Sequence, residues 1–209
     1  MAYLVVSGIY IISFIICRIG IIDCMVRCFI AVECNNDEVV EGIRRVQGAL
    51  ESTGANLKHV EPENIHLTLK FLGEIPPHKV DEVAETIKDI GFNPFTFKVK
   101  EVGVFPNLRR PSTIWAGITN GVSDLTAVFE EVDSKMGKLG FDRERRRFHP
   151  HLTISRVRSG KNRDQLVEEL LAVKYQDFGV VDVDRIVLKK SVLTPRGPIY
   201  SSLAESKHS

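Results

Sequence analysis

The sequence is poor in the residues that gather metals or redox couples. Its four cysteines, Cys17, Cys24, Cys28 and Cys34, all fall near the amino end. None forms a Cys-x-x-Cys pair, so neither a zinc cluster nor a thioredoxin-like dithiol is expected. Cys28 and Cys34 fall on one predicted strand, roughly 20 Å apart at the rise of an extended chain, too far for a disulfide within it. Reduced thiols in a cytosolic protein fit this usage. An excess of charge is missing too, since 28 Lys and Arg stand against 27 Asp and Glu. At 44% hydrophobic and 26% charged residues the composition is that of a soluble globular protein and gives no sign of disorder. The 209 residues suffice for one large domain or two small lobes with real cores.

One long apolar run exists, at residues 2–22, where only Ser7, Gly8, Ser13, Arg18 and Gly20 are not apolar. It has the length of a membrane span, but no basic residue precedes it as a secretory signal requires, and Arg18 interrupts its last third. If it inserted, Arg18 and Arg27 would keep the following domain in the cytosol. The preferred reading is that Met25 is the true start and that residues 1–24 are an extension of the frame outside the fold. A complete predicted strand, Val26 to Glu33, begins directly after Met25, and a cytoplasmic protein away from membranes is expected.

Balanced overall, the charge is uneven along the chain. Residues 1–104 carry 10 basic against 14 acidic residues and residues 105–209 carry 18 against 13, so an anionic ligand is expected to favour the second half. Arg143, Arg145, Arg146 and Arg147 precede the second of two related motifs, and Arg156, Arg158, Lys161 and Arg163 follow or close it. A solvated charged loop explains them as well as a ligand does.

The motifs are His66-Leu67-Thr68-Leu69 and, 85 residues later, His151-Leu152-Thr153-Ile154. In an extended strand His66 and Thr68 point one way while Ile65, Leu67, Leu69 and Phe71 point the other. The second copy repeats this, with Phe148, Pro150, Leu152 and Ile154 on the apolar face. Two such strands brought together place two imidazoles and two hydroxyls around one spot.

The motifs sit in a duplicated frame. The first half reads as a strand, a helix opened near Asp37 with Val39, Ile43, Val46 and Leu50 on one face and closed by Gly54, and the motif strand Ile65 to Leu72. A helix opened by Pro76 and Pro77 follows, then a strand with Phe95, Phe97 and Val99. The second half repeats the order from Thr113, with Ile30 mapping to Trp115, Gly54 to Gly140, His66 to His151 and Phe95 to Val180. Asp184 to Thr194 and Ile199 to Ala204 read as a closing pair of strands around Pro195 to Pro198. An internal duplication of this kind predicts an α+β fold. It has two pseudo-symmetric α/β lobes, mainly antiparallel sheets facing a central cleft, and helices outside. Residues 25–209 form one bilobal domain with halves of roughly 25–105 and 106–204, and intertwining of the halves stays open.

With these flanks the chain resembles the 2H phosphoesterase superfamily, and more closely its RNA 2′,3′-cyclic phosphodiesterases, also called 2′-5′ RNA ligase-like proteins. The resemblance runs from Met25 to about Ala204. It rests on Arg27-Cys28-Phe29-Ile30-Ala31, on His66 to Gly73, on Trp115-Ala116-Gly117 and on Phe148 to Arg156. It implies hydrolysis of RNA 2′,3′-cyclic phosphate ends, with His66 giving a proton to the leaving ribose 3′ oxygen and His151 activating water, leaving a 2′-phosphate. Arg156 would help hold the phosphate, although strict alternation puts it on the core face, so a strand end or a twist is needed there. The partner implied is an RNA or oligonucleotide with a cyclic phosphate end. No protein partner is implied, and a monomer is expected.

The chemistry agrees with the residue types. Phosphodiester hydrolysis needs a base for water and an acid for the departing oxygen, and histidine serves as either near neutral pH. Hydroxyls from Thr68 and Thr153 can donate to non-bridging phosphate oxygens. No metal or other cofactor is then required. His149 shares a face with His151, but no carboxylate or cysteine at matching spacing completes a metal site. Lys70 and Ser155 share the motif face by alternation and could touch the ligand. Trp115 could stack on a nucleobase, as could Phe71 or Phe148, which alternate onto the apolar face. His59 and His78 sit in loop-like contexts where surface roles suffice. Joining RNA ends through a 2′-5′ linkage, or binding nucleotide without catalysis, are the competing functions, and the presence of both histidines and both threonines disfavours the second.

Overall fold

Strand β1 (Val26–Glu33) is buried without a break from Cys28 to Val32, the pattern of a strand covered on both faces. Asn36 caps the helix that follows, its side chain accepting from the Val39 N–H at 2.9 Å, so that α1 (Asp37–Ser52) buries Val39, Ile43, Val46 and Leu50. Gly54, at φ 65, turns the chain out of the helix. A short strand β2 (Leu57–His59) comes before β3 (His66–Ile75), α2 (Pro77–Lys88) and β4 (Phe95–Phe105). The second half supplies β5 (Thr113–Asn120), α3 (Val122–Lys138), β6 (His151–Val157), α4 (Arg163–Ala172) and β7 (Asp177–Val183). A closing pair, β8 (Val187–Thr194) and β9 (Gly197–Glu205), completes the order. The computed structural model describes residues 25–195 and 197–206. The apolar run at 1–24, with the expectations attached to it, lies outside the described residues, and among those described no helix is long and apolar enough to cross a membrane.

The strands form one curled sheet in the order β7-β4-β5-β6-β3-β1-β8-β9, all its pairings antiparallel, with β2 against β6. Each spatial half draws on both halves of the chain, because β4 lies between β5 and β7 while β8 and β9 extend from β1. The two motif strands are direct neighbours, paired at Leu67 and Leu152. Those residues are duplicates of one another, so a local twofold axis passes between them. The same register sets His66 abreast of Thr153 and Thr68 abreast of His151.

A second feature is duplicated, and alternation alone could not show it. Along β1 and β3, Ile30 pairs with Lys70 but Ala31 pairs with Thr68, which leaves Leu69 as an extra residue. Along β5 and β6, Ile114 pairs with Ser155 but Trp115 pairs with Thr153, which leaves Ile154 as the equivalent extra. A bulge of this kind reverses the facing of every residue beyond it. Lys70 and Ser155 therefore turn into the interior, at 8% and 0% exposure, and are removed from the candidate ligand contacts. Phe71 turns out onto the motif face at 73% exposure instead of joining the core, and its duplicate Arg156 does the same. The bulge supplies what Arg156 needed to reach that face. The register also equates Ile30 with Ile114, so the counterpart of Trp115 is Ala31 and not Ile30.

Each inward-turned residue has a partner. Lys70 Nζ donates to Asp133 Oδ1 of α3 at 2.5 Å and to the Asp142 carbonyl at 2.7 Å. Ser155 Oγ lies 2.6 Å from His59 Nδ1, so His59 belongs to a strand and a half-buried hydrogen bond, not to a surface loop. Phe148 stacks on Phe129 of α3 with ring centroids 4.2 Å apart, which keeps it in the core as expected. Of the arginine group before the second motif, Arg143 donates to Asp133 and Arg146 lies 3.4 Å from Glu144, while Arg145 and Arg147 are exposed.

Candidate active site

The interior residues Leu67, Leu152 and Ile154 are fully buried and anchor β3 and β6. Anchoring fixes the opposite face, where His66, Thr68, His151 and Thr153 are each half-buried. The two imidazoles are held in the same way. His66 Nδ1 lies 2.7 Å from the Asn64 carbonyl and His151 Nδ1 lies 2.8 Å from the His149 carbonyl, in both cases two residues upstream. A carbonyl only accepts, so Nδ1 carries the proton in each ring and Nε2 is left to act. Asn64 is itself tied to the start of β9, its Nδ2 donating to the Pro198 carbonyl at 3.3 Å.

Around His66 the walls are aromatic, with Phe29 buried and Tyr200 half-buried. Phe29 lies 4.9 Å from the His66 ring centroid and Tyr200 5.4 Å, and Phe29 also meets Phe71 at 6.2 Å. Glu33 stands opposite His66 on β1 and accepts from Lys189 Nζ. Burial pushes the His66 pKa down to about 4, with Lys189 and His151 pushing the same way and the Asn64 carbonyl and Glu33 opposing. His151 is also held below its ordinary value, chiefly by burial, then by the nearby charges of His149 and Arg156 against the pull of the His149 carbonyl. Both rings are therefore neutral at pH 7 before ligand binds. Burial pushes the Tyr200 hydroxyl pKa up, against the positive charges of Arg156 and Arg27.

The second histidine has its own aromatic wall. Phe105 lies 5.1 Å from His151, and Trp115 lies 5.0 Å from His149 and 6.2 Å from His151. Trp115 rests on Gly103, where an added Cβ would come within 2.2 Å of the indole. Gly103→Ala is expected to displace the ring and cost about 1–3 kcal/mol of stability. Chemical denaturation and near-ultraviolet dichroism check both effects. Phe29, Phe105, Lys189 and Tyr200 were not candidates from the sequence. Tyr200 and Lys189 come from the closing strands, and no local pattern ties those strands to either motif. His78 is exposed in the first turn of α2. Among the described residues no three His, Cys, Asp or Glu side chains gather within reach of one metal ion.

Comparison with known proteins agrees with this geometry. The LigT-like phosphoesterase family matches residues 32–115 and 118–200, one motif in each segment. The chain is 38% identical over 179 residues to an RNA 2′,3′-cyclic phosphodiesterase of Methanocaldococcus jannaschii, covering 86% of this chain and 99% of the relative. It is 37% identical over 182 residues to the protein of that name from Methanothermobacter thermautotrophicus, covering 85% and 96%. The crystal structure of E. coli LigT in apo form superposes with a TM-score of 0.69 at 24% identity, covering 87% of this chain and 96% of that one, which shows the shared fold. Two motif-bearing segments in one frame, matched over nearly the whole length of such relatives, make this chain a member of the LigT-like phosphoesterase family, within the 2H superfamily.

Proposed function

We propose that this protein hydrolyses the 2′,3′-cyclic phosphate end of RNA to a 2′-phosphomonoester by acid/base catalysis between His66 and His151, with no metal taking part. The observation that carries the proposal is the repeated bond from Nδ1 to a backbone carbonyl, which leaves two Nε2 atoms on one face beside two threonine hydroxyls. Relatives bearing the phosphodiesterase name at 36–38% identity support the substrate.

His66 is the acid and His151 the base. His66 is walled by Phe29 and Tyr200 and has the more strongly depressed pKa, so once protonated it gives up its proton readily to the ribose 3′ oxygen. The bond that orients His151 lies in an exposed setting, where a water molecule can be taken up and deprotonated by Nε2. Thr68 and Thr153 donate to the non-bridging oxygens, and Arg156 adds a positive charge beside them.

Both rings being neutral in the free protein has a consequence for pH dependence. The bound phosphodiester is an anion, and an anion next to an imidazole favours the protonated form. The alkaline limb of kcat should therefore lie at higher pH than that of kcat/KM, since the first reports the bound and the second the free enzyme. Hydrolysis of a 2′,3′-cyclic nucleotide should persist in EDTA. A strict need for added metal, or coincident alkaline limbs, would count against the mechanism. Including RNA with 5′-hydroxyl and cyclic phosphate ends in the same assay reads any 2′-5′ joining directly.

A further inference from the structure

A cavity of about 350 Å³ opens at the far end of β6, away from the histidines, between the β4–β5 connection, the end of β6 and the start of α4. Its floor is apolar, with Pro111 and Leu166 buried and Val157 half-buried. Its rim is four exposed arginines, Arg109, Arg110, Arg158 and Arg163. Of these four, Arg163 alone has a carboxylate among the described residues within 4 Å, that of its neighbour Asp164 at 3.6 Å. The rim is built by the backbone. The Arg109 and Arg110 N–H groups donate to Asn107 Oδ1 at 3.0 and 3.2 Å, and the Arg158 N–H donates to the Asn56 carbonyl at 2.8 Å. Four arginines around an apolar floor concentrate positive charge at its rim, a combination that suits phosphates with a sugar or base between them.

Position decides which phosphates. Arg158 follows Thr153 by five residues, just past the end of β6, at most about 16 Å at the rise of an extended chain, with Arg156 between them on the motif face. A cyclic mononucleotide at the histidines cannot span that length. A strand of RNA can. We infer that this arginine-rimmed cavity binds the sugar-phosphate backbone of single-stranded RNA a few nucleotides upstream of the cyclic end. The protein then selects polynucleotide ends over free cyclic nucleotides. The inference rests on the proposed phosphodiesterase reading for its direction along the strand.

The test uses a fluorescein-labelled single-stranded oligoribonucleotide ending in a 2′-deoxy 3′-phosphate, inert to the proposed chemistry, and the full chain with and without Arg110→Gln and Arg158→Gln together. Anisotropy titrations across a salt series should show the double variant binding at least tenfold more weakly. The slope of log K against log salt should fall by about 0.7 for each phosphate that the variant no longer neutralises. Hydrolysis of 2′,3′-cyclic mononucleotide should stay within twofold of the parent, and the thermal midpoint should not move. Unchanged affinity and slope would overturn the inference, as would displacement of the oligonucleotide by polyglutamate as readily as by unlabelled RNA. If the parent hydrolyses no cyclic phosphate, the proposed function fails, while the anisotropy result still decides whether the cavity holds RNA.

Discussion

His66→Ala and His151→Ala are each expected to lower hydrolysis of a 2′,3′-cyclic nucleotide by roughly 10²- to 10⁴-fold, the usual worth of a positioned acid or base. The fold should survive both changes, because both rings are only half-buried on the motif face. The two variants should part on a substrate whose leaving group departs as a stable anion, such as a nitrophenyl phosphodiester. That oxygen needs no proton, so His66→Ala should regain most of its activity on it, whereas His151→Ala should not, since water still has to be deprotonated. Equal rescue of both variants, or rescue of His151→Ala alone, would reverse the roles proposed for the two rings. Thr68→Ala and Thr153→Ala supply the control. Groups that hold charge on the phosphate are needed whatever the leaving group, so each should weaken both substrates by similar factors.

Asp133→Ala should be the most destabilising single change on the helix side of the sheet, by about 3–5 kcal/mol in urea unfolding at pH 7, the range for breaking a buried ion pair. The carboxylate is 3% exposed and accepts from Lys70, from Arg143 and from the Glu144 N–H. Its removal strands the Lys70 charge at 8% exposure. Replacing both partners, as Lys70→Met with Asp133→Leu, should restore most of the loss, because no unpaired charge is left inside. The pH dependence has a definite sign. Burial raises the Asp133 pKa, but the Lys70 and Arg143 side chains and the Glu144 N–H outweigh it and hold the carboxyl below its usual range. Its contribution is complete above the unfolded carboxylate pKa of about 4 and disappears as pH falls through the lower folded value. The double variant should lack that part of the acid sensitivity. If Lys70 instead faced the ligand, Asp133→Ala would leave Lys70 in solvent, and no such loss of stability would be measured.

Much of the chain was legible because the signals are local. The unbroken apolar run of β1, the helical spacing of Val39, Ile43, Val46 and Leu50, the prolines that open α2, and the two histidine and threonine motifs each depend on residues a few positions apart. Near-equal spacing of the two copies was enough to predict an antiparallel α+β fold with the motifs together. Three things depended on strands distant in sequence. The exchange of β4 and of β8 with β9 between the spatial halves is set by which sheet edge buries each strand, and neither edge is visible in composition. Tyr200 reaches His66 only through that exchange. The bulges at Leu69 and Ile154 exist because β1 and β5 pair out of step with β3 and β6 there. One extra residue changes no local preference, yet it reverses every side chain beyond it. The sequence by itself therefore determined the duplicated elements and the four motif side chains. Only the tertiary pairing decided that Lys70 and Ser155 turn into the core while Phe71 and Arg156 turn to the site, because the face a strand residue occupies belongs to its ladder and not to its own neighbours.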